Sequence, residues 1–282
     1  MCNPVTTFNL TGIFYQLMRT STISVVVVAM LVLAGCSGGP GTGDTGPSPD
    51  DFPTASAIDQ SVFDRHAAVL ANGSFTLTVE RTQKQRRPSF VEGNFTYTNG
   101  TARYLVEPDA SQYLAQVNDY FAGNVTYYSN GSTTYQMWRK DNELTVKQPP
   151  RFRIFNESSE GYLWRGWFND DSEDRHELTA VNATYERRGV ETFRDVSVMR
   201  YEATGVDALP DWAGKRNASS VFEAFSATLL IDSDGIIRQF RYEFVYADHR
   251  IKQRLSRTYT VTDVGDTDVR KPDWASNVTS GS

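Results

Sequence analysis

The sequence predicts an α+β protein, mostly β. One strongly curved antiparallel sheet, a half-barrel of about ten strands, is expected to pack on two or three helices. Three observations lead there. Apolar and polar residues alternate over long stretches after residue 74. Aromatic residues make up 12% of the chain, a share that suits pleated, half-buried surfaces. Turn residues such as Asn130-Gly131 and Asp232-Ser233-Asp234-Gly235 interrupt the alternation at short intervals.

The chain opens with a leader. Arg19 precedes an apolar run from Val25 to Ala34. The run is shorter than the roughly 20 residues a membrane-spanning helix needs, and it fits the apolar region of a secretory signal. Residues 1–17 hold no basic residue, so the true start is expected at Met18 and residues 1–35 are read as the signal region. The run ends in Leu33-Ala34-Gly35-Cys36, which resembles the lipobox of prokaryotic lipoproteins. That resemblance implies lipid attachment at Cys36, with membrane lipid as a partner. It also implies a lipid-anchored, extracellular location on the outer face of the cytoplasmic membrane. Arg19 has no neighbouring arginine, which favours the general secretory route.

Residues 36–54 are the lipidated cysteine and a Gly/Pro/Asp-rich linker without apolar periodicity. A coil of this size reaches about 20–25 Å. Gly41 to Gly46 formally matches GxGxxG, but no strand precedes it and prolines surround it, so no nucleotide site is inferred.

Residues 55–275 read as a single domain, followed by a disordered tail over 276–282. A helix is expected from Ala57 to Ala71, with Ser56 and Asp59 at its start, Ile58, Val62, Phe63, His66 and Leu70 on one face, and Gly73 at its end. The period then becomes two. Phe75, Leu77 and Val79 begin a strand, Arg86-Arg87-Pro88 turns it, and Asn99-Gly100 signals a hairpin between Phe95-Tyr97 and Tyr104-Val106. Asp109 to Phe121 reads as a short helix. Strands follow at Val125–Tyr128, Thr133–Trp138 and Leu144–Val146. A second helix is expected over Glu160–Phe168, then strands at Leu178–Arg187 and Thr192–Ala203.

Three long strands near 221–232, 236–247 and 250–263 give the clearest pattern. The middle one carries Phe240, Tyr242, Phe244 and Tyr246 on one face. The last offers Ile251, Leu255, Tyr259 and Val261 on one face and Arg250, Lys252 and Arg254 on the other. The aromatic stripe can line a ligand cavity or fill a core.

Asparagine usage is unusual. After Cys36, nine of twelve asparagines begin Asn-x-Ser/Thr sequons: Asn72, Asn94, Asn99, Asn124, Asn130, Asn156, Asn182, Asn217 and Asn277. Chance would give roughly one in six. The excess points to N-glycosylation on an exposed surface; Asn-Gly turn chemistry accounts only for Asn72, Asn99 and Asn130.

Composition excludes several classes. The only cysteines, Cys2 and Cys36, precede the domain, so a disulfide scaffold or cysteine metal site is ruled out. A net charge of −6 argues against nucleic acid as a partner. Neither HExxH nor GxSxG occurs. The three histidines, His66, His176 and His249, form no spacing of their own that suggests catalysis. No catalytic residue, metal ligand or cofactor is assigned. Asn169 to Glu177 reads as a solvated acidic loop and Asp232 to Gly235 as a hairpin turn. Arg81, Lys84, Arg86 and Arg87 form a small basic cluster, read as a soluble turn.

The ending from Tyr259 to Trp274, with the order of lipobox, tether, helix and long meander, resembles uncharacterised lipoproteins of halophilic archaea. These are similar to the LolA and LppX carriers, in which a half-barrel wraps helices around an apolar cavity. The resemblance implies a non-enzymatic binder of an apolar or amphipathic, lipid-like ligand. The alternative is a structural or protein-interaction lipoprotein of the cell envelope whose half-barrel is filled by its own side chains; no particular protein partner is indicated. Scarce lysine (six, against 22 arginines) and clustered acids also suit a salty environment.

Overall fold

Eleven strands form one antiparallel sheet, in the order β6-β5-β4-β3-β2-β1-β11-β10-β9-β8-β7. The computed structural model describes residues 47–86, 95–119, 123–140, 143–147, 171–213, 220–248 and 252–276. The chain divides into two units, Met1–Thr45 and Gly46–Ser282, and all described residues lie in the second.

The first wing comprises β1 (Phe75–Arg86), β2 (Phe95–Val106), β3 (Tyr113–Asp119), β4 (Gly123–Ser129), β5 (Thr134–Lys140) and β6 (Glu143–Lys147). It runs as a meander from the sheet centre to one edge. The second comprises β7 (Glu186–Phe193), β8 (Val196–Thr204), β9 (Ser220–Asp232), β10 (Ile237–Asp248) and β11 (Lys252–Thr262). It returns from the opposite edge to the centre. There β1 pairs with β11 from Thr76↔Thr262 to Arg86↔Lys252. The sheet is curved and unclosed, with β6 and β7 at its two ends.

Alternation decides the faces, because successive side chains point to opposite sides of a strand. Leu77, Val79, Tyr104, Ala115, Leu229, Phe240, Tyr242, Tyr259 and Val261 all point to the concave face and are buried. Helix α1 (Gln60–Ala71) covers part of this face with Val62, Phe63, His66 and Leu70. Asp59 caps it, accepting from the Ser61 N–H at 2.9 Å. Helix α2 (Asp171–Val181) is the described part of the connection between the two sheet edges, and it lies on the concave side.

A second cluster sits on the convex face. After β11 the chain crosses β1 and runs over β2 to β5, ending in the short helix α3 (Asp273–Ser276). Val269, Trp274 and Ala275 pack there against Leu105, Leu114, Tyr128 and Tyr135. The Gly265 N–H donates to the Ser74 carbonyl at 2.8 Å, the Thr267 N–H to Ser74 Oγ at 3.1 Å, and the Val269 N–H to Glu107 Oε1 at 2.9 Å.

Several expectations need correction. Asn99-Gly100 does not turn the chain but lies inside β2, paired to both neighbours; the long partners β1 and β3 hold it extended. The segment expected to be a helix over 109–121 is mostly β3, because Tyr113, Ala115 and Val117 alternate into the core. The acidic stretch read as a loop forms α2 from Asp171 onwards. Glu177, Thr179 and Ala180 face inwards there, so part of the strand expected at Leu178–Arg187 is helix. Thr192–Ala203 contains the β7–β8 turn at Arg194-Asp195, both at positive φ. The helix expected over 160–168 lies outside the described residues.

Candidate functional site

The most unusual chemistry of the concave face lies at its centre. β11 points Arg257 and Tyr259 inwards, in the same row as Leu255 and Val261. α2 brings Glu177 down onto them. The Tyr259 hydroxyl donates to Glu177 Oε2 at 2.6 Å. Arg257 Nη1 donates to the same carboxylate oxygen at 3.3 Å and to the Tyr259 oxygen at 3.1 Å. Arg257 is 3% exposed and Glu177 7%. A charged pair withdrawn from water this far loses solvation that its attraction only partly offsets. Burial pushes the Tyr259 hydroxyl well above the usual tyrosine range, so it stays protonated as a donor. Arg257 also faces Arg81 directly across the β1–β11 ladder. Two guanidinium groups in one cross-strand pair repel, and the carboxylate of α2 relieves that repulsion.

Around this cluster is an aromatic wall. Phe240, Tyr242 and Phe244 follow one another along β10, with ring centroids 5.3 and 5.7 Å apart. Phe63 of α1 meets Phe240 edge-on at 5.3 Å, and Tyr259 stacks beside it at 6.1 Å. His176, next to Glu177 on α2, stacks on Tyr246 at 4.9 Å and touches Phe244 at 5.3 Å. Phe240, Tyr242 and Phe244 are fully covered, while Tyr246 is partly exposed. The four stripe residues share one face, as the alternation predicts, and three of them are packed between strands and helices.

His66 is also fully buried. Its Nδ1 accepts the Ile237 N–H at 3.1 Å and ties α1 to the start of β10. Burial, with the nearby positive charge of Arg238, pushes its imidazole down to about 3. The nearby Asp232 acts as the hairpin expected there requires: Oδ1 accepts from the Asp234 and Ile236 N–H groups, and Arg238 Nε donates to Oδ2 at 2.6 Å.

The other residues singled out from the sequence are scattered. Cys36, Asn94, Asn156, Asn217, Asn277 and Arg87 lie outside the described residues. Asn72 and Asn182 follow α1 and α2 and donate through Nδ2 to the Ala68 and Leu178 carbonyls, each at 2.8 Å. Asn130 sits in the β4–β5 turn, its Oδ1 accepting from the Ser132 and Thr133 N–H groups. Asn99 and Asn124 stand exposed on the convex face. Of the basic cluster, Arg81 belongs to the concave row, its Nη2 donating to Gln83 at 2.8 Å. Arg257 and Glu177 were missed. Arg257 shares the odd-numbered row of Leu255 and Tyr259, which is the signal that placed it inside. Among the described residues no cluster of His, Cys, Asp or Glu could hold a metal ion, and no helix is long and apolar enough to cross a membrane.

The described structure is thus an open antiparallel half-barrel, with a helix of its edge-to-edge connection latched onto the concave face. The chain belongs to a family of unknown function, DUF7537, whose profile matches residues 19–278. No curated protein matches it. Among solved structures it is similar to LprF from Mycobacterium bovis, at 13% identity and a TM-score of 0.36, over 80% of this chain and 98% of that one. It is similar to the lipoprotein LppX of Mycobacterium tuberculosis at 10% identity and a TM-score of 0.31, over 74% and 96%. A LolA superfamily protein from Nitrosomonas europaea shares 10% identity at a TM-score of 0.24, over 77% and 99%.

Proposed function

We propose that this protein is a membrane-anchored extracellular lipoprotein that binds an apolar or amphipathic molecule without catalysis, using the concave face of its sheet. The buried Glu177–Arg257–Tyr259 cluster carries the reading. A concave face that only had to be filled would be at least as stable with apolar side chains there, since well-packed replacements of buried ion pairs are often neutral or stabilising by about 1–4 kcal/mol. A polar centre within an aromatic wall is instead the pattern of a small-molecule site, where apolar walls supply affinity and a few polar groups set orientation. Cys36 supports the location. A cysteine after Leu33-Ala34-Gly35, at the end of a short apolar run, suits lipid attachment, and residues 37–54 give the domain a tether.

Native mass spectrometry of the chain purified from its native membranes tests this. The expected result is a co-purified apolar or amphipathic species, lost from an Arg257→Leu/Glu177→Leu double variant that keeps its fold. Absence of any co-purified species, together with no binding of added phospholipid, would overturn the reading. A Cys36→Ser variant is expected in the soluble fraction; its retention in membranes would sink the anchor. The alternative, an envelope protein with no small-molecule ligand, draws on one observation: Phe240, Tyr242 and Phe244 are each 0% exposed, covered by the protein itself.

A further inference from the structure

The convex face of β1 to β4 changes character within two residues. Thr76, Leu105, Leu114 and Tyr128 lie on the half reached by the C-terminal segment through Thr267, Val269 and Trp274. One step further along the same strands and face stand Thr78, Arg103, Gln116 and Thr126, of which Arg103 and Gln116 are exposed and the two threonines half-buried. They line a groove of about 430 Å³ together with Thr101, Asn118 and Asn124. That volume falls within the roughly 300–1,000 Å³ of small-molecule sites. Its walls are hydroxyls, carboxamides and one guanidinium, and it is also bordered by Ala102, Val117 and Val125, whose side chains belong to the buried concave face.

Two sequons converge on this groove. Asn124 and Thr126 belong to one, and Thr101 completes another that starts at Asn99. Residues two apart on a strand share a face, so Asn124 and its sequon threonine both point to the convex side. Asn124 is exposed and pairs in register with Asn118, itself opposite Thr101. A sugar on Asn124 Nδ2 therefore begins inside the groove, with hydrogen-bonding side chains on the next two strands, each about 4.8 Å further across.

We propose that Asn124 carries an N-linked oligosaccharide whose first sugars lie in this groove, held by Arg103, Gln116 and Asn118. The attachment takes a phosphate-activated oligosaccharide as donor. Asn124 Nδ2 bonds to the anomeric carbon, the bond from that carbon to the phosphate oxygen breaks, the phosphate leaves with the electron pair, and the amide gives up one proton. The inference rests on the outward location proposed above, because such donors act on exported chains.

The test uses protein from native membranes. Glycopeptide mapping is expected to show Asn124 occupied. Phenylglyoxal is expected to modify Arg103 at least five-fold more slowly in the occupied glycoform than in Asn124→Gln. Thr126→Ala, which removes the sequon but leaves Asn124, is expected to restore reactivity in the same way and guards against misfolding of the first variant. Asn130, exposed in a turn away from the groove, reports export separately. Occupied Asn130 with bare Asn124, or equal Arg103 reactivity in both forms, overturns the groove assignment alone. Bare sequons throughout overturn it and count against the outward location too.

Discussion

Tyr259 donates its hydroxyl hydrogen to Glu177 across 2.6 Å, joining a central strand to a helix from the connection between the sheet's two edges. The bond is more than a local contact. Arg257 shares the same carboxylate oxygen, so removing Glu177 takes the counter-charge from a buried guanidinium, whereas removing the tyrosine hydroxyl leaves the ion pair. Glu177→Ala is therefore expected to cost about 3–5 kcal/mol, and Tyr259→Phe only about 1–2 kcal/mol. Urea unfolding of both variants checks the order. Equal losses would mean that Arg257 finds another anion when Glu177 is gone.

His66 gives a pH dependence with a definite sign. Its imidazole is held neutral in the fold, pushed down to about 3, against an ordinary 6.5 in the unfolded chain. The folded state thus binds fewer protons than the unfolded state between these values. Its stabilising effect is complete above about pH 6.5 and is lost as pH falls towards 3. Between pH 7 and 4.5 the loss from this residue is on the order of 2–3 kcal/mol. His66→Asn offers a carboxamide oxygen to the Ile237 N–H without the titration. Its urea midpoint is expected to fall less over that pH interval than the wild type's, and parallel curves would refute the assignment.

Both of these residues show what could be read in advance. The final three strands were legible almost to the residue, because long alternation and the Asp232–Gly235 turn allow a single register. The opening helix was legible because Val62, Phe63, His66 and Leu70 fall on one face and Asp59 caps it. Glu177 was not legible. A run rich in Asp and Glu reads as solvated, and the groups that make its burial tolerable, the Arg257 guanidinium and the Tyr259 hydroxyl, come 80 and 82 positions later. Asn99-Gly100 failed for a similar reason: its local preference for a turn is weak beside two full ladders of cross-strand hydrogen bonds. Local chemistry therefore predicted the three final strands and their faces, whereas the site depends on a long-range pair.

The C-terminal segment covers apolar surface that the sheet cannot bury alone. Leu105, Leu114 and Tyr128 pack with Val269, Trp274 and Ala275. Truncation after Val264 is expected to leave the sheet formed but expose this patch, which would bind a hydrophobic dye and promote association. Trp274, partly exposed in place, is expected to cost about 1–3 kcal/mol when changed to alanine, below the 3–5 kcal/mol of a fully buried tryptophan. Dye fluorescence and sedimentation of the truncated chain decide the point; a monodisperse, dye-silent product would show that the strap is dispensable.

Gly131 closes the β4–β5 turn under two constraints at once. Its φ of +85° lies where side chains other than glycine's are strained. A Cβ there would also stand 2.7 Å from the Ser111 carbonyl oxygen, backbone that cannot rotate away. Gly131→Ala thus combines a conformational penalty of about 1–3 kcal/mol with a displacement of the segment leading into β3. Gly123, at φ +69°, has only a Trp138 ring nitrogen at 4.0 Å in the same construction, so Gly123→Ala meets the strain without the clash. Thermal unfolding of the two variants is expected to place Gly131→Ala clearly lower. Equal midpoints would mean that the Ser111 carbonyl yields to the methyl group at no measurable cost.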